Sequence, residues 1–151
     1  MAPINPLYTP ALMEHSSDPD YKYEMECATC THEGVNPSCG DDLTLSLRIN
    51  DKGVIEEAAW QGIGCAVSQA SADMMSDLIT GMDAHEARDL CEVFKRMARG
   101  EEKDPEVLEE LGDAACLQSV ARMPARVKCA ELAWRTLGEM LDERKGTAAG
   151  K

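Results

Sequence analysis

One stretch limits the fold more than any other. Leu43, Leu45, Leu47 and Ile49 alternate with Thr44, Ser46 and Arg48, a period of two. A strand of this kind has one face to bury and one to leave wet. Asn50-Asp51-Lys52-Gly53 is a turn sequence, and Val54 to Gln61 reads as the return strand. Residues 42–61 are therefore expected to form an antiparallel hairpin, and the rest of the chain must cover its apolar face.

The cover is expected to be helical. Val67, Ala70, Met74 and Leu78 fall at helical spacing in a segment opening near Ser68, with Gly81 as a stop. Ala87, Leu90, Cys91, Phe94 and Met97 continue that spacing over residues 83–99, and Gly100 to Pro105 breaks it. Residues 106–111 read as a short helix ended by Gly112-Asp113. Pro124, a residue favoured at a first helical position, opens the last helix, whose stripe is Val127, Ala130, Trp134, Leu137 and Leu141. Residues 5–16 read as holding a short helix after Pro10 with Leu12 inward, Ser17 to Val35 as irregular chain, and Gly146 to Lys151 as a frayed tail. Strands first and helices later indicate an α+β fold, with helices packed on one face of a small antiparallel sheet. A length of 151 residues suits a single domain, 1–151.

Composition narrows the function. Only 4% of the residues are aromatic, so the core rests on Leu, Val, Ile, Ala and Met. A net charge of −13 repels nucleic-acid phosphate and anionic lipid, and suits docking onto a protein partner. Met1 to Pro10 has neither a basic nor an apolar targeting region, and no stretch approaches a membrane span, so a cytoplasmic location is expected. The seven cysteines, at 27, 30, 39, 65, 91, 116 and 129, are odd in number, which argues against a disulfide framework and for reduced thiols.

The hairpin gives two of them a common location. Cys39 and Cys65 lie almost equally far from the turn, so pairing the strands brings both to its open end. Asp41 is two residues from Cys39 and in extended chain projects to the same side, whereas Asp42 points away. Cys129 falls near the start of the last helix, where the helix terminus favours thiolate. Gly62-Ile63-Gly64 allows backbone to approach a ligand beside Cys65. Three thiolates and a carboxylate suit tetrahedral zinc, and Arg126 and Lys128 flank Cys129 to offset the excess negative charge. On residue chemistry alone the three could equally be separate core thiols.

Asn36-Pro37-Ser38-Cys39-Gly40-Asp41, Gly62-Ile63-Gly64-Cys65-Ala66-Val67-Ser68 with Ala70-Ser71, and Pro124-Ala125-Arg126-Val127-Lys128-Cys129-Ala130 with Leu132 resemble the SufU/IscU family of iron–sulfur cluster assembly proteins. The resemblance runs from about Leu7 to Leu141. It implies a three-stranded antiparallel sheet with helices on one face, and Cys39, Asp41, Cys65 and Cys129 around one metal. Two features point to the SufU branch. IscU-type scaffolds usually carry His before the last cysteine, where this chain has Lys128. SufU-type proteins carry an extra segment, which the acidic residues at about 100–122 resemble.

The SufU likeness implies zinc and a sulfurtransferase role with a SufS-like cysteine desulfurase, the sulfur passing to downstream Suf cluster-assembly proteins. In that picture a desulfurase histidine displaces one cysteine from zinc. Cys39 is freed as acceptor, Arg126 steadies the displaced thiolate, and Cys65, Cys129 and Asp41 keep the metal. The alternatives are a scaffold carrying a transient iron–sulfur cluster on the same residues, and a structural zinc module without sulfur chemistry.

Cys27-Ala-Thr-Cys30 lies outside the family pattern. It reads as an incidental exposed pair, the alternatives being a second metal site with His32 or a resolving thiol for Cys39. Cys91 and Cys116 read as structural, the methionines Met74, Met75, Met97 and Met140 as core, and Trp60 and Trp134 as sheet–helix packing. His15 and His85 are not expected to be ligands.

Overall fold

The structure, a computed structural model, describes residues 9–149, with side chains through Arg144. The expected alternation is realised in β2, Asp41–Ile49, whose odd-numbered residues are all buried. Its neighbours are β1, Cys30–Asn36, and β3, Ile55–Ile63. The three form an antiparallel sheet in the order β1-β2-β3. Leu43 pairs with Gly62 and Leu45 with Trp60, and the register shifts between Arg48 and Ile49 near the turn.

Among the described residues five α-helices accompany the sheet: α1 Pro10–Ser17, α2 Ala66–Ile79, α3 Ala84–Ala98, α4 Pro105–Leu108 and α5 Pro124–Ala149. Between α4 and α5, Glu109–Arg122 winds in 3₁₀ turns broken at Gly112. Helix α5 lies on β1 and β2, and α2 lies on β3 and α5. The sheet–helix core holds Leu43, Leu45, Leu47, Trp60, Met74, Met75 and Trp134. Trp134 stacks on Phe94 of α3 with ring centroids 4.4 Å apart. Its indole N–H donates to Ser71 Oγ at 3.0 Å, and Ser71 Oγ donates to the Ala130 carbonyl at 2.7 Å. These bonds join α2 to α5 and fix their starting ends beside each other. None of the described helices is long and apolar enough to cross a membrane.

Three expectations need correction. The segment read as irregular up to Val35 contains a strand, β1. Its inner face carries Cys30, His32, Gly34 and Asn36, which show no apolar alternation. Gly34 sits there because α5 comes close: a Cβ on it would fall 2.0 Å from Thr136 Oγ1. Helix α1 runs from Pro10 with Leu12 buried, as expected, and residues 5–8 lie outside the described residues. The short helix expected to stop at Gly112 is one turn of α4 followed by 3₁₀ turns that resume beyond it. Leu111, Ala114, Leu117 and Val120 are buried and hold that run down. At the other end α5 continues to Ala149, so 146–149 are helical rather than frayed.

Candidate metal centre

β1 and β2 are joined by the turn Pro37–Gly40, in which Gly40 takes a positive φ of 73°. The turn folds Cys39 back over the strand ends, and its backbone N–H donates to the Asn36 carbonyl at 3.3 Å. Cys39 therefore reaches Asp41 through a turn and not through extended chain as expected. Asp41 rather than Asp42 faces inward, as expected, because it continues the buried face of β2.

Asp41 is fully buried and its oxygens are occupied. Oδ1 accepts from the Cys65 N–H at 3.0 Å and from Ser68 Oγ at 3.1 Å, and Oδ2 accepts from Asn36 Nδ2 at 3.1 Å. Burial alone would raise the pKa of this carboxyl. The bonds from Cys65, the Cys129 thiol, Asn36 and Ser68 outweigh it and hold the group below its ordinary value.

Cys65 is the N-cap of α2, one place before the helix, and its sulfur accepts the Ser68 N–H at 3.4 Å. Gly64 is required here by closeness. A Cβ on it would lie 2.3 Å from Ser68 Oγ and 2.8 Å from Asp41 Oδ1. Cys129 is the sixth residue of α5, fully buried, with its sulfur 3.7 Å from Asn36 Nδ2. The helix-terminus argument for its thiolate does not hold, since the residue lies beyond the first turn. Burial, then the neighbouring Cys39 and Cys65 thiols and Asp41, push the Cys129 thiol far up. A bound cation would reverse that preference, because it stabilises thiolate directly.

The potential ligand atoms of Cys39, Asp41 and Cys129 lie within 4.8 Å of one another, a grouping no other His, Cys, Asp or Glu trio matches among the described residues. Zinc–thiolate bonds of about 2.3 Å set tetrahedral edges of about 3.8 Å, so a small contraction seats these three. Cys65 faces Cys129 but does not join the tight trio, its sulfur being engaged by Ser68. The donor set, two to three thiols and one carboxylate, fits zinc. Arg126 lies half-buried in the first turn of α5, and Lys128 is exposed.

Asn36 and Ser68 belong to this cluster although sequence reasoning gave them no role. The signal for Asn36 was its position: with Pro37–Gly40 as a hairpin turn, it pairs with Asp41 across the ladder. The signal for Ser68 was the Cys65-to-Ser68 spacing, which is that of an N-cap and its N3 residue.

The remaining thiols lie elsewhere. Cys30 opens β1 and Asn36 closes it, so at about 3.3 Å per residue Cys30 stands about 20 Å from the cluster. That distance removes Cys27-Ala-Thr-Cys30 as a resolving pair for Cys39. Cys91 is buried in α3, and Cys116 is half-buried beside the core.

A family pattern described as the NifU-like N-terminal domain matches residues 7–130. The chain is 38% identical over 135 residues to the iron–sulfur cluster assembly scaffold protein IscU of Thermotoga maritima, covering 89% of this chain and 92% of that one. It is 34% identical over 145 residues to the zinc-dependent sulfurtransferase SufU of Bacillus subtilis, covering 96% of each. Among solved structures, a candidate iron–sulfur cluster assembly scaffold of the SUF system from Fervidobacterium islandicum AW-1 superposes with a TM-score of 0.80 at 33% identity, over 89% of this chain and 96% of that one.

Proposed function

The chain belongs to the SufU/IscU family of NifU-like N-terminal domains, and from that membership we propose that it serves iron–sulfur cluster assembly as a zinc-dependent sulfur acceptor. It takes sulfur from a cysteine desulfurase at a centre made by Cys39, Asp41, Cys65 and Cys129 and hands it to the assembly proteins of the cytoplasm. The name of the Bacillus subtilis relative, which is 34% identical, supports the zinc and the sulfur transfer. Lys128, in place of the histidine usual in IscU-type scaffolds, supports the same branch.

The observation that carries the reading is an asymmetry of access. Cys39 is exposed, whereas Asp41 and Cys129 beside it are buried. An acceptor thiol must be reachable from outside, and groups that only hold a metal need not be. Zinc, when bound, would keep these thiols deprotonated near neutral pH. The Cys39 thiolate attacks the outer sulfur of the desulfurase's cysteine persulfide. A bond forms between Cys39 Sγ and that sulfur, the persulfide sulfur–sulfur bond breaks, and the desulfurase cysteine leaves as thiolate. Asp41, Cys65 and Cys129 would hold the zinc, and the Arg126 guanidinium, three residues before Cys129, would offset the negative charge.

The test is single-turnover transfer from a persulfide-loaded desulfurase, read by mass spectrometry. One added sulfur on Cys39, and none after Cys39→Ala, is expected. A Cys39→Ala variant that still stimulates sulfide release without reductant removes Cys39 from the role. A cluster scaffold is the second reading, favoured by the name of the Thermotoga maritima relative. It predicts iron and acid-labile sulfide on the same residues.

A further inference from the structure

Asn36 is the last residue of β1, only 3% exposed, on the inner face of the sheet. Burying an amide there costs free energy unless its hydrogens are used. Its nitrogen has two acceptors in reach: Asp41 Oδ2 at 3.1 Å and Cys129 Sγ at 3.7 Å. A carboxylate and a zinc-bound thiolate are acceptors only, and a primary amide carries two N–H groups, so with zinc in place the two demands match the supply.

Resting on the zinc-site reading above, we propose that Asn36 is the positioning residue of the metal centre, giving one amide N–H to Asp41 and the other to Cys129 so that both stay in place as ligands. Three features of the site favour this. The strand register sets Asn36 directly opposite Asp41, so the amide–carboxylate contact follows from the hairpin itself. Cys129 comes from a helix distant in sequence, and the same amide ties that helix to the hairpin. Cys65, on the third element, has its own N–H donor in Ser68. A hydrogen bond to thiolate draws electron density from sulfur and lowers its nucleophilicity. Cys65 and Cys129 thereby become the thiols suited to holding a metal, and sulfur transfer is directed to exposed Cys39.

The test uses the full-length protein, stripped of metal without air and reloaded with cobalt or zinc. In Asn36→Leu, the thiolate-to-cobalt charge-transfer band should move to longer wavelength while the d–d bands keep tetrahedral intensity. Zinc should pass to a chromophoric chelator about 10- to 100-fold more readily than from the wild type, the usual loss when a group supporting a ligand is removed. Asn36→Gln, which keeps the amide on a longer stem, should recover part of both effects. A role in folding alone would lower the stability of the metal-free protein and leave the band where it is. An Asn36→Leu protein with the wild-type band and transfer rate overturns the proposal. Should that variant not fold, Asn36→Thr, a strand former unable to supply two N–H bonds, is read by the same criteria. Wild-type protein that takes up neither metal overturns the zinc reading together with this one; wild-type uptake with an unchanged variant overturns this one alone.

Discussion

The middle of α3 and the first turns of α5 each bury a cysteine completely, Cys91 and Cys129, and in both cases burial pushes the thiol upward. The company they keep differs. Cys91 packs in the continuous apolar core, and its pKa is raised to about 12, so it behaves as a small hydrophobe. Cys129 faces Cys39, Cys65, Asp41 and Asn36, which come from a turn, a helix N-cap and two strand ends. A buried thiol among side chains that cannot share a proton or an ion is structural. The same thiol among groups that can do so has partners able to hold a cation with it. Depth does not separate the two; convergence of distant chain segments at one end of the sheet does.

The sharpest way to break this comparison is to remove each sulfur in turn. Cys129→Ser should cost at least about 100-fold in zinc affinity, leaving the purified protein largely without metal. Cys91→Ser should keep one zinc per chain and lose about 1–3 kcal/mol of stability by burying a hydroxyl among apolar neighbours. Metal analysis and denaturant titration read the two effects separately. Equal zinc in both variants would dissolve the distinction. Cys27→Ser with Cys30→Ser should leave the zinc content unchanged, as their distance from the cluster requires.

A smaller effect is expected from Gly64→Ala. The new methyl group collides with Ser68 Oγ and Asp41 Oδ1 and must displace one of them. Zinc affinity should fall about 10-fold, with a stability loss of about 1–3 kcal/mol. Gly81→Ala is the control, since its Cβ meets nothing but takes a φ of 89°. It should cost about 1 kcal/mol without touching zinc.

How far these features were legible in the sequence follows from what each element packs against. β2 was legible because its outer face is polar and its inner face aliphatic, the plain two-residue period. β1 was not, because its inner face is narrowed by α5 at Gly34 and ends in the polar cluster at Asn36. The 3₁₀ run was obscured by Glu109 and Glu110 and by the break at Gly112, since 3₁₀ turns do not repeat every 3.6 residues. Hairpin counting brought Cys39 and Cys65 to one open end; Cys129 was added from its place near the start of the last helix, and the structure gathers Cys39, Asp41 and Cys129 within 4.8 Å of one another. Their local geometry was not legible, because it depends on the positive φ of Gly40 and on how α2 and α5 are bonded through Ser71.

The smallest expected effect lies away from both thiols. His15 Nδ1 stands 2.8 Å from buried Asp73 Oδ2, and Nε2 stands 3.3 Å from Asp113 Oδ2. Burial opposes the charge on the imidazole, but the bonds to Asp73 and Asp113 prevail and raise its pKa above 6.5. A group whose folded pKa is raised stabilises the fold fully below its unfolded pKa and loses that contribution as pH rises through the folded one. Stability should therefore decline modestly as pH rises above 6.5, and His15→Gln should flatten that decline. Thermal unfolding across pH reads it, and zinc content should not follow.

The most direct measurement is metal and sulfide analysis of the full-length protein purified without air. Colourless protein with one zinc per chain, lost on Cys129→Ser and kept on Cys91→Ser, is the predicted result. Brown protein carrying iron and acid-labile sulfide in place of zinc would contradict the account.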